Sequence, residues 1–127
     1  MKYSKMENKE MVINVYNLIG DEFATEPKDG DKIFTLISKS LKEKKHINVS
    51  FTNIKLLTTA FLNTAIGQLY RDFSSEDIKN YLSISNLNDS GLISLKRVVD
   101  TAKVFYSLND EEQDNLKKEV KDILDNE

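Results

Sequence analysis

The sequence predicts an α/β fold. We expect a small layered domain with a partly parallel mixed sheet of three to four strands and helices, plus a C-terminal acidic helix. Short segments rich in β-branched and aromatic residues alternate with longer segments whose apolar residues recur every three or four positions. Strands that alternate with such helices are typical of a layered domain with parallel strand pairs. The chain has 127 residues, of which 39% are hydrophobic, enough for the core of one domain.

The first third of the chain predicts a strand, a loop and a helix. The segment MVINVYNLI, Met11 to Ile19, has strand composition. Gly20 to Gly30 holds two glycines, the single proline and four acids, which indicates a loop. Asp29 or Asp31 is expected to cap the next helix by accepting hydrogen bonds from its first free N–H groups. The apolar residues of that helix recur at helical spacing: Ile33, Phe34, Ile37 and Leu41.

The middle of the chain repeats this order. A second strand is predicted at about His46 to Phe51, followed by a loop from Thr52 to Leu57. A helix from Thr59 to Phe73 follows, and its strongly apolar composition predicts that it is buried. The apolar positions of this helix follow the i, i+4, i+8 spacing: Phe61, Leu62, Ala65, Ile66, Leu69 and Phe73.

The last third predicts three helices around one strand. Ser74 is a candidate cap for a short helical turn. A third strand, Leu82 to Leu87, precedes a long helix capped by Asn88 or Asp89. Asn109 is a candidate cap for the last helix. We therefore divide the chain into an α/β domain at residues 1–108 and an amphipathic acidic helix at 109–127. The apolar stripe of that helix consists of Leu116, Val120, Ile123 and Leu124.

Composition excludes several kinds of chemistry. The chain has no cysteine, so it has no disulfide, thiol nucleophile or thiolate metal site. It contains no apolar run of about 18 residues, which predicts no membrane span. The first ten residues lack the apolar core of a signal peptide, which predicts a cytoplasmic protein. The net charge is −3, and residues 107–127 alone carry −5, so the other 106 residues carry +2. Without a dense basic patch, binding to nucleic acid is not expected.

The residues that could perform catalysis or hold a cofactor are few. His46 is the only histidine, so a histidine-based metal cluster cannot form. It follows three charged residues at a helix-to-strand boundary with no serine adjacent in sequence, and we predict no catalytic role for it. No phosphate-cradling glycine motif and no EF-hand spacing occurs, so no cofactor is expected and loop acids are interpreted as solvated charge. Those acids are Asp21, Glu22, Glu26, Asp29 and Asp31.

Two longer segments, NVSFTNIKLLTTAFLNTAIGQLY and YLSISNLNDSGLISLKRVV, together resemble the STAS-like family, the small domain labelled DUF4325. In that family a strand ending in Asp-Phe leads through a loop to a Ser-Phe-Ala-like helix start, and a later strand ends near Asn-Leu. Here Ser50-Phe51 matches the first strand end, and Ala60-Phe61-Leu62 matches the helix start. Asn86-Leu87-Asn88 matches the later strand end. The resemblance extends from about Val12 to Tyr106.

The family is similar in turn to the STAS domains of anti-sigma factor antagonists. In those domains a partner kinase phosphorylates a serine at the start of the equivalent helix, and the phosphate controls binding. In this sequence that position is Ala60, and Ser50 stands where aspartate is usual. Thr59 is the nearest hydroxyl and therefore the candidate phosphosite. The resemblance implies a kinase-like ATPase or another regulator as partner.

Thr58 and Thr59 admit three interpretations: a helix N-cap, part of a contact surface, or a phosphorylation site. The cap is the simplest, since threonine is an accepted capping residue. If the segment is also a contact surface, the residues expected to bind a partner are Asn53, Lys55, Thr58, Thr59 and Leu62.

The acidic C-terminal helix also remains open to three interpretations. It can pack its apolar stripe on the domain, it can bind a partner or a second copy to form a homodimer, or its acids can imitate nucleic-acid phosphates.

The sequence is therefore interpreted as a non-enzymatic protein-interaction and regulatory module that binds another protein. An alternative is a protein encoded by a phage or mobile element that inhibits a host enzyme, such as a defence nuclease. Small size, the acidic helix and a composition rich in lysine, asparagine and isoleucine, which is typical of an AT-rich bacterial or phage genome, motivate that alternative. An enzyme is the third hypothesis, because no nucleophile–base pair is evident in the sequence.

Overall fold

The computed structural model describes residues 10–108 and 110–125, without the side chains of residues 110 and 120–125. The predicted cap Asn109 lies outside the described residues. In chain order the elements are β1 (Met11–Asn14), α1 (Val15–Ile19), β2 (Phe23–Ala24), α2 (Pro27–Lys42), β3 (Ile47–Ser50), β4 (Leu56–Leu57), α3 (Thr59–Leu62), a π-helical segment (Asn63–Gly67), α4 (Leu69–Asp72), α5 (Ser75–Tyr81), β5 (Leu82–Ser85), α6 (Asp89–Ser107) and α7 (Asp110–Asp125).

The predicted α/β class is confirmed. Three strands form a sheet in the order β1-β3-β5, and β2 pairs with β4 in a second, two-stranded sheet. Both sheets are parallel in every pairing that the described residues make, rather than mixed. Parallel neighbours need a crossover, and the helices between the strands supply it.

Alternation along the strands gives the larger sheet one apolar and one polar face. Ile13 pairs in register with Val49, and Val49 with Ile84, on the face that the helices cover. Val49 is fully buried there. Asn48 and Ser83, the register pair one residue before Val49 and Ile84, lie on the opposite face, where both are partly exposed. In the described part of the chain, the core therefore lies on the Val49 side of the sheet.

The first predicted strand is too long by five residues. It ends at Asn14, because the Asn14 side chain accepts a hydrogen bond from the Asn17 N–H at 3.0 Å and so caps helix α1. Gly20, with φ of 72°, ends that helix in the left-handed conformation that glycine adopts without strain.

The predicted cap of helix α2, Asp29 or Asp31, is also wrong. Helix α2 begins at Pro27, and Asp29 and Asp31 lie within it. Proline suits the first helical position because its φ is already helical and its missing N–H would be unpaired there. Just before it, the predicted loop contains strand β2, which pairs with β4 from the loop after β3.

The apolar helix after Thr58 occupies the predicted place but is not regular throughout. Between α3 and α4 the chain widens into the π-helical segment, where the Gln68 N–H donates to the Asn63 carbonyl five residues earlier, at 3.0 Å. Helix α2 crosses this region closely at Gly30. A Cβ atom on Gly30 would lie 2.8 Å from the Phe61 carbonyl oxygen. These helices and the sheet enclose the fully buried side chains Val15, Ile33, Ile37, Ile47, Val49, Phe61, Leu62 and Leu69.

Two further capping predictions are confirmed. Ser74 accepts a hydrogen bond from the Asp77 N–H at 3.1 Å and begins α5. Asn88 accepts one from the Gly91 N–H at 2.8 Å and begins α6.

Contacts between helix α7 and the rest of the domain include two near its first turns. The Gln113 side chain donates to the Leu108 carbonyl at 3.1 Å, and Lys117 Nζ lies 5.4 Å from the centre of the Phe105 ring. Leu116, the first residue of the predicted apolar stripe, is exposed. The side chains of Val120, Ile123 and Leu124 are not among those that the structure describes. None of the helices that the structure describes is both long and apolar enough to span a bilayer.

Candidate functional site

A polar cluster lies at the carboxyl ends of β3 and β5. Ser50 is buried at the end of β3, and its Oγ accepts a hydrogen bond from Asn86 Nδ2 at 3.0 Å. The same Oγ lies 2.8 Å from the Thr52 hydroxyl and accepts a hydrogen bond from the Thr52 N–H at 3.3 Å. A hydroxyl both donates and accepts, so Ser50 ties the loop after β3 to the loop after β5.

The loop from Thr52 to Leu57 is held in one conformation by several hydrogen bonds. The Ile54 N–H donates to the Phe51 carbonyl at 3.1 Å, and Asn53 has φ of 68°, a conformation that asparagine tolerates. The Lys55 N–H donates to the Glu22 carbonyl at 2.8 Å, and the side chains of the two residues form an ion pair at 3.3 Å. Asn53 and Lys55, both predicted partner contacts, are exposed on this loop.

The phenyl ring of Phe51 anchors the other end of the loop. It is 2% exposed and meets the Phe61 ring edge to face, with 6.5 Å between the ring centres. Between this loop and the start of α6 is a cavity of about 70 Å³, lined in part by Lys55, Asn86 and Gly91. This volume is far below that of typical small-molecule sites.

Thr58 is the N-cap that the sequence predicts. Its hydroxyl accepts a hydrogen bond from the Phe61 N–H and donates one to the Thr25 carbonyl, both at 3.2 Å. The first bond caps the helix, and the second joins Thr58 to the chain at Thr25. Thr59 is exposed in the first turn of the helix, beside the exposed Ala60.

Leu62 is a correction to the predicted contact surface. It is fully buried within the core, on the inner side of the same helix, and has no accessible surface for a partner. The sequence places Leu62 three residues after Thr59, and this spacing alone does not show which side of the helix faces the core.

An exposed apolar pair lies beside this loop and was missed from the sequence. Phe23 in β2 and Leu56 in β4 are register partners, so their side chains project from the same face of the two-stranded sheet. They are 45% and 53% exposed. The available clue was an aromatic residue within an acidic loop, but its pairing with Leu56 depends on a contact between distant segments.

We use the name carboxyl-end surface for the exposed residues Phe23, Asn53, Lys55, Leu56 and Thr59 together with the partly exposed Glu22. Its centre is the apolar pair, and its edge is the Glu22–Lys55 ion pair and the polar side chains of the loop. A hydrophobic centre with a polar edge is typical of surfaces that bind proteins.

His46 has neighbours that the sequence did not predict. Its Nε2 lies 3.2 Å from Ser83 Oγ, and its Nδ1 lies 3.1 Å from Glu10 Oε1. This is the order of a serine–histidine–carboxylate triad. The same Glu10 oxygen also accepts a hydrogen bond from Ser83 Oγ, at 3.4 Å. The cluster lies on the open polar face of the sheet, and it joins the beginning of β1 to β3 and β5.

The five acids that the sequence assigns to the first loop are spread over that loop and helix α2. Asp21 accepts a hydrogen bond from the Phe23 N–H at 3.0 Å, and Asp29 pairs with Lys32 at 3.4 Å. Asp31 accepts a hydrogen bond from Gln68 at 3.3 Å. In residues 10–108 and the described part of α7, no three histidine or acidic side chains are grouped so as to hold a metal ion.

The altered pKa values lie away from the carboxyl-end surface. A hydrogen bond from Arg71 lowers the pKa of Asp72, and the same bond raises the pKa of Arg71. Burial, together with the nearby Asp100 carboxylate, raises the pKa of Tyr70.

Comparison with known proteins agrees with the resemblance seen in the sequence. Neither the curated proteins nor the solved structures yield a match to the chain. A family model matches residues 29–92, about half of the chain, from α2 to the first turn of α6. The matched segment includes the strand β3, its following loop and the capped helix that form most of the carboxyl-end surface. The chain therefore belongs to the family described as STAS-like domain of unknown function (DUF4325).

Proposed function

We propose that the protein is a non-enzymatic interaction module that binds a partner protein through the carboxyl-end surface. The observation that carries the proposal is the exposed pair Phe23 and Leu56, next to the Glu22–Lys55 ion pair. Burying such a pair against a partner removes apolar surface from water, while the charged edge contributes orientation.

Thr59 supplies a point of regulation on the same surface. It is exposed at the start of a helix, where a kinase can reach its hydroxyl. A phosphate there would add a charge of about −1.5 to −2 beside the apolar pair and would be stabilised by the helix dipole. A kinase-like ATPase is therefore the partner class that we propose first.

The test is capture of partners by the immobilised full chain and by two variants. Phe23→Glu places a charge at the centre of the surface, whereas Val104→Glu places one at another exposed apolar residue, in α6. We expect a partner that the wild type and Val104→Glu retain and Phe23→Glu loses. Equal capture by all three proteins would contradict the proposal. A captured nuclease or other defence enzyme with this pattern would support the inhibitor of a host enzyme instead.

We propose a structural rather than catalytic role for the Ser83–His46–Glu10 cluster. Ester hydrolysis requires donors that hold the oxyanion, and the parallel ladder directs the Ser83 N–H toward β3. Incubation with p-nitrophenyl acetate should give the same release of nitrophenolate for the wild type and Ser83→Ala. A rate that saturates with substrate in the wild type and vanishes in both Ser83→Ala and His46→Ala would overturn this assignment.

A further inference from the structure

Among the residues that the structure describes, strand β5 is paired along one edge, with β3, and unpaired along the other. The Phe51 N–H donates to the Ser85 carbonyl at 3.0 Å, so the backbone of Ser85 faces β3. In a parallel ladder alternate residues direct both backbone groups to the same side. Ser83 therefore also faces β3, whereas Leu82 and Ile84 direct their backbone groups to the open edge.

Few of these edge groups have a partner. The Leu82 N–H donates to the Ile78 carbonyl where α5 ends. Among the described residues, the N–H and C=O of Ile84 and the C=O of Leu82 have no hydrogen-bond partner. The strand LSIS contains no proline and no charge, the features by which proteins commonly protect an edge from pairing.

A groove of about 690 Å³ lies along this edge, between α5 and α6. Leu82 and Ile84 line it from the strand, and Leu95 and Val99 line it from α6. In the sheet, Val49 is fully buried while its register partner Ile84 is only partly buried. The core is thus incomplete at β5, on the side where a fourth strand would lie.

We propose that β5 binds an extended segment of a partner protein as an added strand. The unpaired backbone groups of Ile84 match those of an extended chain, and alternate apolar side chains of that chain enter the groove. This site is separate from the carboxyl-end surface and does not depend on its function.

The charges at the groove indicate the composition of the segment. The charged side chains that line it are Lys79, Lys103 and one acid, Glu76. Asp100, which lies near Tyr70, is ion-paired with Lys96 at 2.9 Å. Lys103 Nζ lies 5.9 Å from the centre of the Tyr70 ring, which forms part of the wall. The segment is therefore expected to carry acidic residues between its apolar ones. A second copy paired through β5 would bring two linings of net positive charge together, which disfavours self-pairing.

The test begins with selection of peptides from a random 12-residue display library on the full chain. We expect enriched peptides to alternate apolar and acidic residues and to lack proline. One enriched peptide is then titrated into ¹⁵N-labelled protein. Shifts of the Leu82, Ile84 and Val99 amides, with at least tenfold slower hydrogen exchange of the Ile84 N–H, would support the proposal.

Variants separate the groove from other surfaces. Lys79→Glu with Lys103→Glu should weaken binding roughly tenfold at low salt, because two favourable charge pairs become repulsive. The exposed lysines Lys28 and Lys45, changed to glutamate together, are the matched control and should leave the affinity unchanged.

An apolar pair of variants tests the same point. Leu95→Glu should abolish binding, whereas Ile93→Glu, on the exposed side of the same helix, should not. Leu95 also packs on the core, so the comparison requires that the Leu95→Glu protein is folded. If it unfolds, the lysine variants alone test whether the peptide binds in the groove.

Three outcomes would overturn the proposal. The first is a library that yields no peptide above background. The second is shifts centred on Phe23 and Leu56, with affinity lost in Phe23→Glu. The third is protection of the Ile84 N–H that rises with protein concentration in the absence of peptide, which would indicate pairing of two β5 strands.

Discussion

Thr58 joins two segments that are far apart in the sequence. Its hydroxyl caps the helix that starts at Thr59 and also donates to the Thr25 carbonyl, next to strand β2. Thr59, one residue later, has an exposed side chain. Adjacent threonines therefore have different roles, and only the first is expected to matter for stability.

The variants Thr58→Ala and Thr59→Ala test this difference. Thr58→Ala should lower the free energy of unfolding by about 1–2 kcal/mol, because a cap is lost and the Thr25 carbonyl loses its donor. Thr59→Ala should change it by less than about 0.5 kcal/mol, as for most exposed positions. Urea unfolding followed by circular dichroism measures both. Equal losses would mean that the cap is not at Thr58.

Tyr70 makes stability depend on pH in the alkaline range. Burial, and then the Asp100 carboxylate, raises its pKa above the unfolded value of about 10. Below about pH 10 the phenol is protonated in both states and its contribution is complete. As the pH rises from there through the folded pKa, the unfolded state ionises first, so the free energy of unfolding falls.

Tyr70→Phe removes this ionisation and keeps the ring in the groove. Between pH 9 and pH 11 the free energy of unfolding should fall less steeply for Tyr70→Phe than for the wild type. Urea unfolding at half-unit pH intervals gives the two slopes, and the other four tyrosines are common to both proteins. Parallel slopes would show that Tyr70 titrates as it does in the unfolded chain.

At the scale of the elements, Gly30 sets the distance between α2 and α3. Alanine in a helix is usually more stable than glycine by about 1 kcal/mol. Here its Cβ would lie 2.8 Å from the Phe61 carbonyl oxygen and 3.0 Å from Thr64 Cβ, and the backbone oxygen cannot turn away as a side chain can. The two helices would have to separate.

Gly30→Ala should therefore destabilise the protein by about 1–3 kcal/mol, the usual cost of an overpacked core. A matched glycine is Gly67 in the π-helical segment, where an added Cβ meets Val98 Cγ1 at an ordinary 3.4 Å. Gly67→Ala should cost less than Gly30→Ala. Thermal melts of the two variants provide the comparison, and a more stable Gly30→Ala protein would contradict the close crossing.

The elements that the sequence predicts well are those that depend on local chemistry. Caps are predicted at Thr58 or Thr59, at Ser74, and at Asn88 or Asp89, because a polar side chain precedes an apolar helical pattern. The hydrogen bonds are made by Thr58, Ser74 and Asn88. The apolar rows of β3 and β5 were likewise evident from composition. In these cases neighbours in the sequence are also neighbours in space.

The missed features depend on contacts between distant segments. Strands β2 and β4 have two residues each and exist because Phe23 and Leu56 come together, which no local pattern indicates. The cluster of His46, Ser83 and Glu10 forms because three parallel strands begin at the same end of the sheet. Leu62 was misplaced because the inner side of a mostly apolar helix is fixed only by what packs against it.

At the scale of the whole molecule, the described helices cover one face of the larger sheet, and the opposite face carries mostly polar side chains. The incomplete core at β5 and the exposed pair at β2–β4 lie at different places on this layered domain. The acidic helix α7 follows the domain after Leu108, and among its described contacts are the Gln113 hydrogen bond and the approach of Lys117 to Phe105. Interactions of this kind at exposed positions contribute about 0.5–1 kcal/mol each.

A chain that ends at Leu108 should therefore fold without α7. We expect a cooperative thermal transition and a loss of less than about 2 kcal/mol in the free energy of unfolding, because the described residues of α7 are mostly exposed. The whole chain has a net charge of −3, and residues 109–127 contribute −5 to it. The shortened protein therefore has a net charge of +2 and should no longer bind an anion-exchange resin at pH 7. Calorimetry and chromatography of the two proteins provide the test. A broad transition or new binding of a hydrophobic dye would mean that α7 covers part of the core, and the domain would then extend beyond residue 108.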